Sequence, residues 1–219
     1  MYIIEVKALK NITKMLGENR AFFILIKNLT FDEGEMRMTM IEKAIQFAAT
    51  AHRKQTRKGT EIPYITHPFA VGMLLHKANC SDEVIAAGIL HDTIEDTETT
   101  YEDLTEEFGA LVANLVRAAS EPDKSLPWKD RKQHTINFLK EASLEEIQVI
   151  TADKLHNLSS IRDDLEAIGE ETWNRFKRGR NDQHWYYASI VKAIAPLKNE
   201  FVLIGKLEKV AKEVFGEIG

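Results

Sequence analysis

The chain has 219 residues, 44% of them hydrophobic, and a formal net charge of -5 at pH 7. This size and apolar content allow one sizeable domain with its own core, while the acidic balance argues against a surface that binds nucleic acid. The single cysteine, Cys80, excludes a disulfide within the chain, and no run approaches the ~20 apolar residues of a membrane span. Composition therefore predicts a soluble, cytoplasmic protein with no nucleic-acid or membrane partner.

The first part of the chain differs in composition from the rest. Residues 2–4 and 22–25 are rich in the β-branched and aromatic side chains that strands favour, and an acidic stretch follows them. We therefore predict three parts. Residues 1–37 form a peripheral N-terminal extension outside the core, residues 38–197 form the main domain, and residues 198–219 form a C-terminal helix that packs on it.

Helical periodicity dominates from residue 38 onward. An apolar stripe predicts a first helix over residues 40–48. The pair His67-Pro68 predicts the start of the second helix with His67 at the cap, because proline suits the first helical position. Ser81 predicts the start of a third helix that ends near Leu90.

The second half of the chain continues this pattern. Thr100 and Asp103 are spaced as a capping box for a short helix that ends near Gly109. Two prolines and several charges predict a loop over residues 120–127. The further predicted helices cover residues 111–119, 128–141, 143–158, 159–168, 183–196 and 199–215. Since no run in residues 38–219 alternates convincingly as a strand does, the predicted fold class is an all-α helical bundle.

A cluster of polar residues directly follows the third predicted helix. Its apolar run ends in His91 and Asp92, and two further carboxylates, Glu95 and Asp96, follow Asp92 by three and four residues. Residues at these spacings share one face of a helix. Burying such groups together without a cation is costly, so the pattern predicts a metal-dependent hydrolytic site.

Four residues in separate segments form the candidate metal site. His67, His91, Asp92 and Asp153 would supply two nitrogen and two oxygen ligands, a mixed set that suits Mn²⁺ or Fe²⁺ with positions left open. Closed structural zinc sites usually contain cysteine, which argues against that alternative. Asn157 lies four residues after Asp153 on the same helical face, where it can contact a ligand while the carboxylate binds metal.

Other charged residues are candidates for proton transfer and substrate binding. Glu95 and Asp96 would stand beside the metal as proton-transfer or water-positioning groups. Arg57 and Lys58 lie in a glycine-containing loop just before His67, where two adjacent cations can hold phosphates.

The remaining histidines have simpler interpretations. We favour a supporting or structural role over metal binding for His52. Ordinary polar or core positions are predicted for the other four, which are His76, His134, His156 and His184.

Together these motifs resemble the HD-domain metal-dependent phosphohydrolases, and within them the hydrolase domain of RelA/SpoT-type proteins, particularly the small stand-alone alarmone hydrolases. The resemblance covers roughly residues 40–165. His91-Asp92 alone indicates only the broad superfamily, whereas the acidic pair at its offset and the preceding Arg-Lys loop are more specific. The residues that carry the resemblance are Arg57-Lys58 before Pro63-Tyr64-Ile65-x-His67-Pro68, then residues 91–97, then residues 152–157.

The resemblance implies an activity and a role for each motif. Such proteins remove the 3′-pyrophosphate from guanosine tetra- or pentaphosphate, yield GDP or GTP plus pyrophosphate, and use Mn²⁺. The implied metal ligands are His67, His91, Asp92 and Asp153, the implied catalytic pair is Glu95 and Asp96, and the implied nucleotide contacts are Arg57, Lys58 and Asn157. The loop after Lys58 is one residue longer than the usual form, a departure that bears on the role of Lys58.

The sequence leaves three other interpretations open. A nucleoside 5′-monophosphatase of the same superfamily needs the same ligands but not the acidic pair, whereas a 3′-phosphatase acting on another nucleotide, such as NADPH, would use an identical site. A non-catalytic nucleotide sensor is disfavoured because a degenerate site should have lost ligands. The sequence leaves the oligomeric state open, with a homodimer as one option.

Overall fold

The structure is a computed structural model that describes residues 38–121 and 123–217. Within these ranges it contains α-helices, two short 3-10 segments and one isolated bridge between Thr56 and Pro63, which confirms the predicted all-α fold class. In chain order the helices are α1 (Met40–Ala51), α2 (Thr66–Lys77), α3 (Asp82–Leu90), α4 (Thr93–Asp96), α5 (Tyr101–Phe108), α6 (Ala110–Ala119), α7 (Trp128–Phe138), α8 (Leu144–Ile168), α9 (Arg180–Ile194) and α10 (Val202–Phe215), with 3-10 segments at Gly169–Arg175 and Ala195–Leu197. The predictions for residues 1–37 lie outside the described residues.

Two helices start at the capping residues that the sequence predicted. The Ser81 hydroxyl accepts a hydrogen bond from the backbone N–H of Val84 at the start of α3. Thr100 and Asp103 form the predicted capping box of α5, which ends at Gly109 with φ of 86°. These contacts satisfy backbone groups that have no partner within the helix.

Apart from shifts of a few residues at helix ends, two of the helix predictions are wrong. Helix α8 is continuous where we predicted separate helices over 143–158 and 159–168, because no glycine or proline interrupts it before Gly169. His67 lies inside the first turn of α2 rather than at its cap, since that helix already begins at Thr66. The first turn accommodates Pro68 because its missing N–H has no intrahelical acceptor there.

Helix α3 lies at the centre of the helical core. Every residue from Val84 to Leu90 is buried, and the helix packs against α1, α2, α6 and α8. A helix that is apolar on all sides is stable only when it is covered on all sides. The residue that follows it, His91, therefore lies in the interior of the protein.

Two glycines allow α2 and α3 to approach closely. A Cβ atom built on Gly88 would lie 2.3 Å from Leu75 Cδ1, and one on Gly72 would lie 2.4 Å from Ile89 Cγ1. The two helices follow one another through a short connection, so the beginning of α2 lies beside the end of α3. This contact brings His67 next to His91.

The remaining helices complete one unit that begins at Thr39. Helix α8 packs against α2, α3 and α10, and α10 also packs against α9. Within the described ranges, no helix has the length and apolar content that crossing a membrane would require.

The close approach of α2 and α3 can be tested with Gly88→Ala and its matched control Gly205→Ala. Both changes gain the same helix propensity, but only Gly88→Ala forces a methyl group onto the buried side chain of Leu75, whereas Gly205 has room for one. Overpacking costs about 1–3 kcal/mol, so we expect Gly88→Ala to be less stable than Gly205→Ala by that amount in urea unfolding. Equal stabilities would contradict the described helix contact.

Candidate metal centre

The four predicted metal ligands meet at one point in the core. His67, His91 and Asp153 are buried, and each offers a ligand atom within 4.8 Å of the other two. Asp92 Oδ2 joins them at 3.0 Å from His91 Nε2 and 3.6 Å from His67 Nε2. Helices α2 and α8 and the turn after α3 therefore bring together residues from three distant segments.

The His91 ring indicates that a cation fits this cluster. Its Nδ1 lies 2.8 Å from the Gly88 carbonyl oxygen, so Nδ1 carries a proton, and Nε2 is the nitrogen left to bind a metal ion or, in its absence, a second proton. Nε2 is buried and makes no hydrogen bond within the described part of the chain, although carboxylate oxygens of Asp92 and Asp153 lie 3.0 and 3.5 Å away. Acceptors that face each other in a buried site need a positive charge between them, and a divalent metal ion satisfies this requirement.

The pKa shifts within the cluster also indicate a site for a cation. Burial alone would lower the pKa of His91, but the neighbouring carboxylates of Asp92 and Asp153 raise it well above its ordinary value. Burial would raise the pKa of Asp153, yet Lys154 and the two histidines hold it well below its ordinary value. Without a metal, the site therefore keeps its carboxylates ionised and binds a proton at His91.

Neighbouring side chains hold the ligands in place. The Tyr64 hydroxyl donates to Asp92 Oδ2 at 2.6 Å, and burial together with nearby carboxylates raises the pKa of this phenol, so it stays a donor. Lys154 Nζ and Asn157 Nδ2 donate to the two oxygens of Asp153 at 2.6 and 2.5 Å. Such supporting contacts fix ligand orientation in metal sites.

The acidic pair lies on α4, which begins directly after Asp92. The backbone N–H of Glu121 donates to Glu95 Oε2 at 3.0 Å, and Lys124 Nζ donates to Asp96 Oδ1 at 2.6 Å. Burial raises the pKa of Glu95, an effect that the hydrogen bond from Glu121 only partly offsets. A partly buried carboxyl group with a raised pKa is suited to proton transfer near neutral pH.

The predicted nucleotide-binding residues make contacts at two separate sites. Arg57 Nη2 donates to Asn157 Oδ1 at 3.4 Å, which links the cation loop directly to the metal cluster through Asp153. Lys58 Nζ instead lies 5.8 Å from the centre of the Phe176 ring. Arg57 is thus joined to the cluster by a hydrogen bond, whereas Lys58 contacts an aromatic ring beyond α8.

Sequence reasoning missed several supporting residues. Tyr64 and Lys154 belong to the motifs that carry the family resemblance, but nothing in a motif shows which side chain contacts which ligand. Gln55 is another supporting residue that the sequence did not reveal. Its amide nitrogen donates to the Asp96 carbonyl oxygen at 2.6 Å. His52 Nδ1 lies 2.7 Å from the Gln55 amide oxygen, which places His52 behind the acidic pair.

His156 was also missed, since we predicted an ordinary polar or core position for it. Its Nδ1 lies 2.8 Å from His67 Nδ1, in contact with a predicted metal ligand. Burial and the neighbouring cationic groups lower the pKa of His156 to about 4. Its place in the sequence three residues after Asp153 could have pointed to the same face of α8.

Comparison with known proteins identifies the class. A family model described as HD domain matches residues 44–179, which is well over half of the chain. The chain therefore belongs to the HD-domain family, whose fold supports metal-dependent hydrolysis.

Within that family, several similar proteins are named as guanosine-3′,5′-bis(diphosphate) 3′-pyrophosphohydrolases. The Danio rerio guanosine-3′,5′-bis(diphosphate) 3′-pyrophosphohydrolase MESH1 is 42% identical over 135 residues, covering 60% of this chain and 72% of that protein. Its Homo sapiens counterpart is 35% identical over 180 residues, covering 81% and 93%. A solved structure of a metazoan ortholog of SpoT, described as hydrolysing ppGpp, matches with a TM-score of 0.66 at 30% identity over 86% of this chain and 99% of that one. The resemblance predicted from the sequence is confirmed.

The raised pKa of His91 predicts proton release when metal binds. Between its ordinary value of 6.5 and its raised value, the metal-free site keeps a proton on His91 that an ordinary histidine would have lost. Metal binding must displace that proton. We expect Mn²⁺ to release about one proton at neutral pH, and its affinity to rise by about tenfold per pH unit across this window. Calorimetry in two buffers of different ionisation enthalpy measures the release, and a heat independent of the buffer would contradict the assignment.

Proposed function

We propose that this protein hydrolyses the 3′-pyrophosphate of (p)ppGpp to GDP or GTP and pyrophosphate at a divalent metal held by His67, His91, Asp92 and Asp153. The observation that carries the proposal is the buried Nε2 of His91, which makes no hydrogen bond with any described residue although the carboxylates of Asp92 and Asp153 lie beside it. The names of the relatives supply the substrate class, since the similar MESH1 proteins are guanosine-3′,5′-bis(diphosphate) 3′-pyrophosphohydrolases.

We propose Mn²⁺ as the metal, with Fe²⁺ as the alternative. Two imidazole nitrogens and two carboxylate oxygens form a ligand set of mixed hardness, which suits these ions when coordination positions are left for water and substrate. Bound there, such an ion polarises a phosphoryl oxygen and makes a water molecule more acidic.

Glu95 and Asp96 are the proposed proton-transfer and water-positioning groups. Attack of water on the phosphorus bonded to the 3′ oxygen breaks that P–O bond, so the water loses a proton and the 3′ oxygen gains one. Glu95 Oε2 accepts from the Glu121 N–H, and Oε1, which lies 3.4 Å from the Lys124 ammonium group, is the oxygen proposed to take up and return the proton. Its raised pKa favours both steps near neutral pH. Asp96, held by Lys124, orients the water.

Arg57, Lys58 and Asn157 are the proposed nucleotide contacts. The Arg57 guanidinium lies beside the metal cluster through Asn157, where it can offset the negative charge of a pyrophosphate. Lys58, the next residue in the chain, lies over the Phe176 ring instead, and it would contact the nucleotide from there. We also propose that residues 38–197 form the hydrolase domain, with residues 198–219 as a helix packed on it.

The direct test is incubation of the purified protein with guanosine tetraphosphate, with and without Mn²⁺, while GDP and pyrophosphate are followed. Release of both products only with metal supports the proposed bond cleavage. Release of inorganic phosphate would mean that a different bond is cut, and turnover of another nucleotide in its place would favour the other phosphatases of the family.

Two variants separate metal binding from proton transfer. Glu95→Gln should lower kcat by about 10²–10⁴-fold while metal content stays at the wild-type level, because Glu95 moves a proton and binds no metal. His91→Ala should lose the metal itself. Metal analysis and kinetics on the same samples check both outcomes, and equal metal content in the two variants would contradict the assignment.

The unequal positions of Arg57 and Lys58 predict unequal kinetic effects. Arg57→Ala removes a charge beside the metal cluster, and a hydrogen bond to a charged group is worth about 1.5–3 kcal/mol, so kcat/KM should fall about 10–100-fold. Lys58→Ala should cost several-fold less, because its ammonium group lies over Phe176. Steady-state kinetics of the pair measures the difference, and a larger loss for Lys58→Ala would reverse the proposed roles.

A further inference from the structure

A histidine outside the proposed ligand set contacts one of its members. His156 Nδ1 lies 2.8 Å from His67 Nδ1, with the ring centres 4.8 Å apart. We propose that His156 is a positioning residue that fixes the tautomer and ring orientation of His67, so that the lone pair of His67 Nε2 faces the metal.

The proton count at this contact determines the direction of the hydrogen bond. Two ring nitrogens 2.8 Å apart share one hydrogen, so one ring donates and the other accepts. His67 Nε2 faces Asp153 Oδ1 at 3.2 Å and Asp92 Oδ2 at 3.6 Å, and it needs a lone pair there to bind a metal. The His67 proton is therefore on Nδ1, and His156 accepts it at Nδ1 with its own proton on Nε2.

The two histidine ligands are oriented by different means. His91 follows α3, so its Nδ1 can donate to the carbonyl oxygen of Gly88 three residues earlier. His67 lies in the first turn of α2, and the carbonyl oxygen three residues earlier, on Tyr64, already accepts the backbone N–H of His67. The orienting acceptor for His67 is therefore supplied by another helix, and a single side-chain substitution can remove it.

Helix α8 supplies both a ligand and this acceptor. Asp153 and His156 are three residues apart and so lie on one face of the helix. On its other side, His156 lines an open groove of about 720 Å³ that Phe69 and Met73 also line. A small molecule from solution can therefore reach the space that truncation of His156 would leave.

This inference rests on the proposed metal site, so its test measures metal binding rather than turnover. Competition with a chelator gives the Mn²⁺ dissociation constant of the full chain and of three variants, His156→Ala, His156→Asn and His134→Ala. The last removes an exposed histidine on α7 and is the matched control. Loss of such a supporting contact typically costs 10–100-fold in metal affinity, so we expect this loss in His156→Ala and no change in His134→Ala.

Two rescues distinguish orientation from packing. The amide oxygen of His156→Asn can take the place of Nδ1 as acceptor, so its affinity should stay within a few-fold of wild type. Free imidazole should restore Mn²⁺ binding to His156→Ala through the groove while leaving the wild-type affinity unchanged. An affinity of His156→Ala within twofold of wild type would overturn the proposal, as would an asparagine variant no better than alanine.

A measurement on the unmodified protein covers the case in which His156→Ala does not fold. Long-range ¹H–¹⁵N spectra of the protein loaded with diamagnetic Zn²⁺ should show His67 protonated at Nδ1 and His156 protonated at Nε2. A proton on Nδ1 of His156 overturns the proposal. Absence of metal binding by the wild type would instead contradict the proposed function itself, which keeps the two failures distinct.

Discussion

The burial of two carboxylates and two imidazoles at one point of a helical core is the constraint on which the site depends. A buried charge without a partner is strongly unfavourable. Each carboxylate accordingly has a donor of its own, from Tyr64 for Asp92 and from Lys154 for Asp153. His91 Nε2 faces the carboxylates of both Asp92 and Asp153 and makes no hydrogen bond among the described residues, and a divalent cation is the group that its surroundings fit.

The packing of the helices determines where these groups meet. Helix α3 is covered on all sides, so it can end in a polar residue only if that residue is compensated. The contact through Gly72 and Gly88 places the start of α2 beside this end, and α8 passes the same point with Asp153 on its buried face. Stability and metal binding therefore share the same contacts, because the residues that close the core also orient the ligands.

Side chains distant in sequence complete the chemistry around the metal ligands. Lys124 and the backbone of Glu121 hold the acidic pair from the loop before α7. Gln55 ties the segment before the cation loop to the carbonyl oxygen of Asp96. The proposed proton-transfer groups and the proposed phosphate-binding loop therefore border the same metal cluster, an arrangement that suits an anionic nucleotide with a reacting pyrophosphate.

Local patterns in the sequence determined the fold class, most helix starts and the residue types of the site. Ser81 and Thr100 begin helices as predicted because capping depends on neighbours within three residues. The segments of His67, His91 and Asp153 likewise predicted metal ligands from residue types that lie close together in the sequence. Only the tertiary structure decided that His156 contacts His67 and that Lys58 lies over Phe176. Those contacts join separate helices, and their geometry depends on how the helices pack, which no short-range pattern encodes.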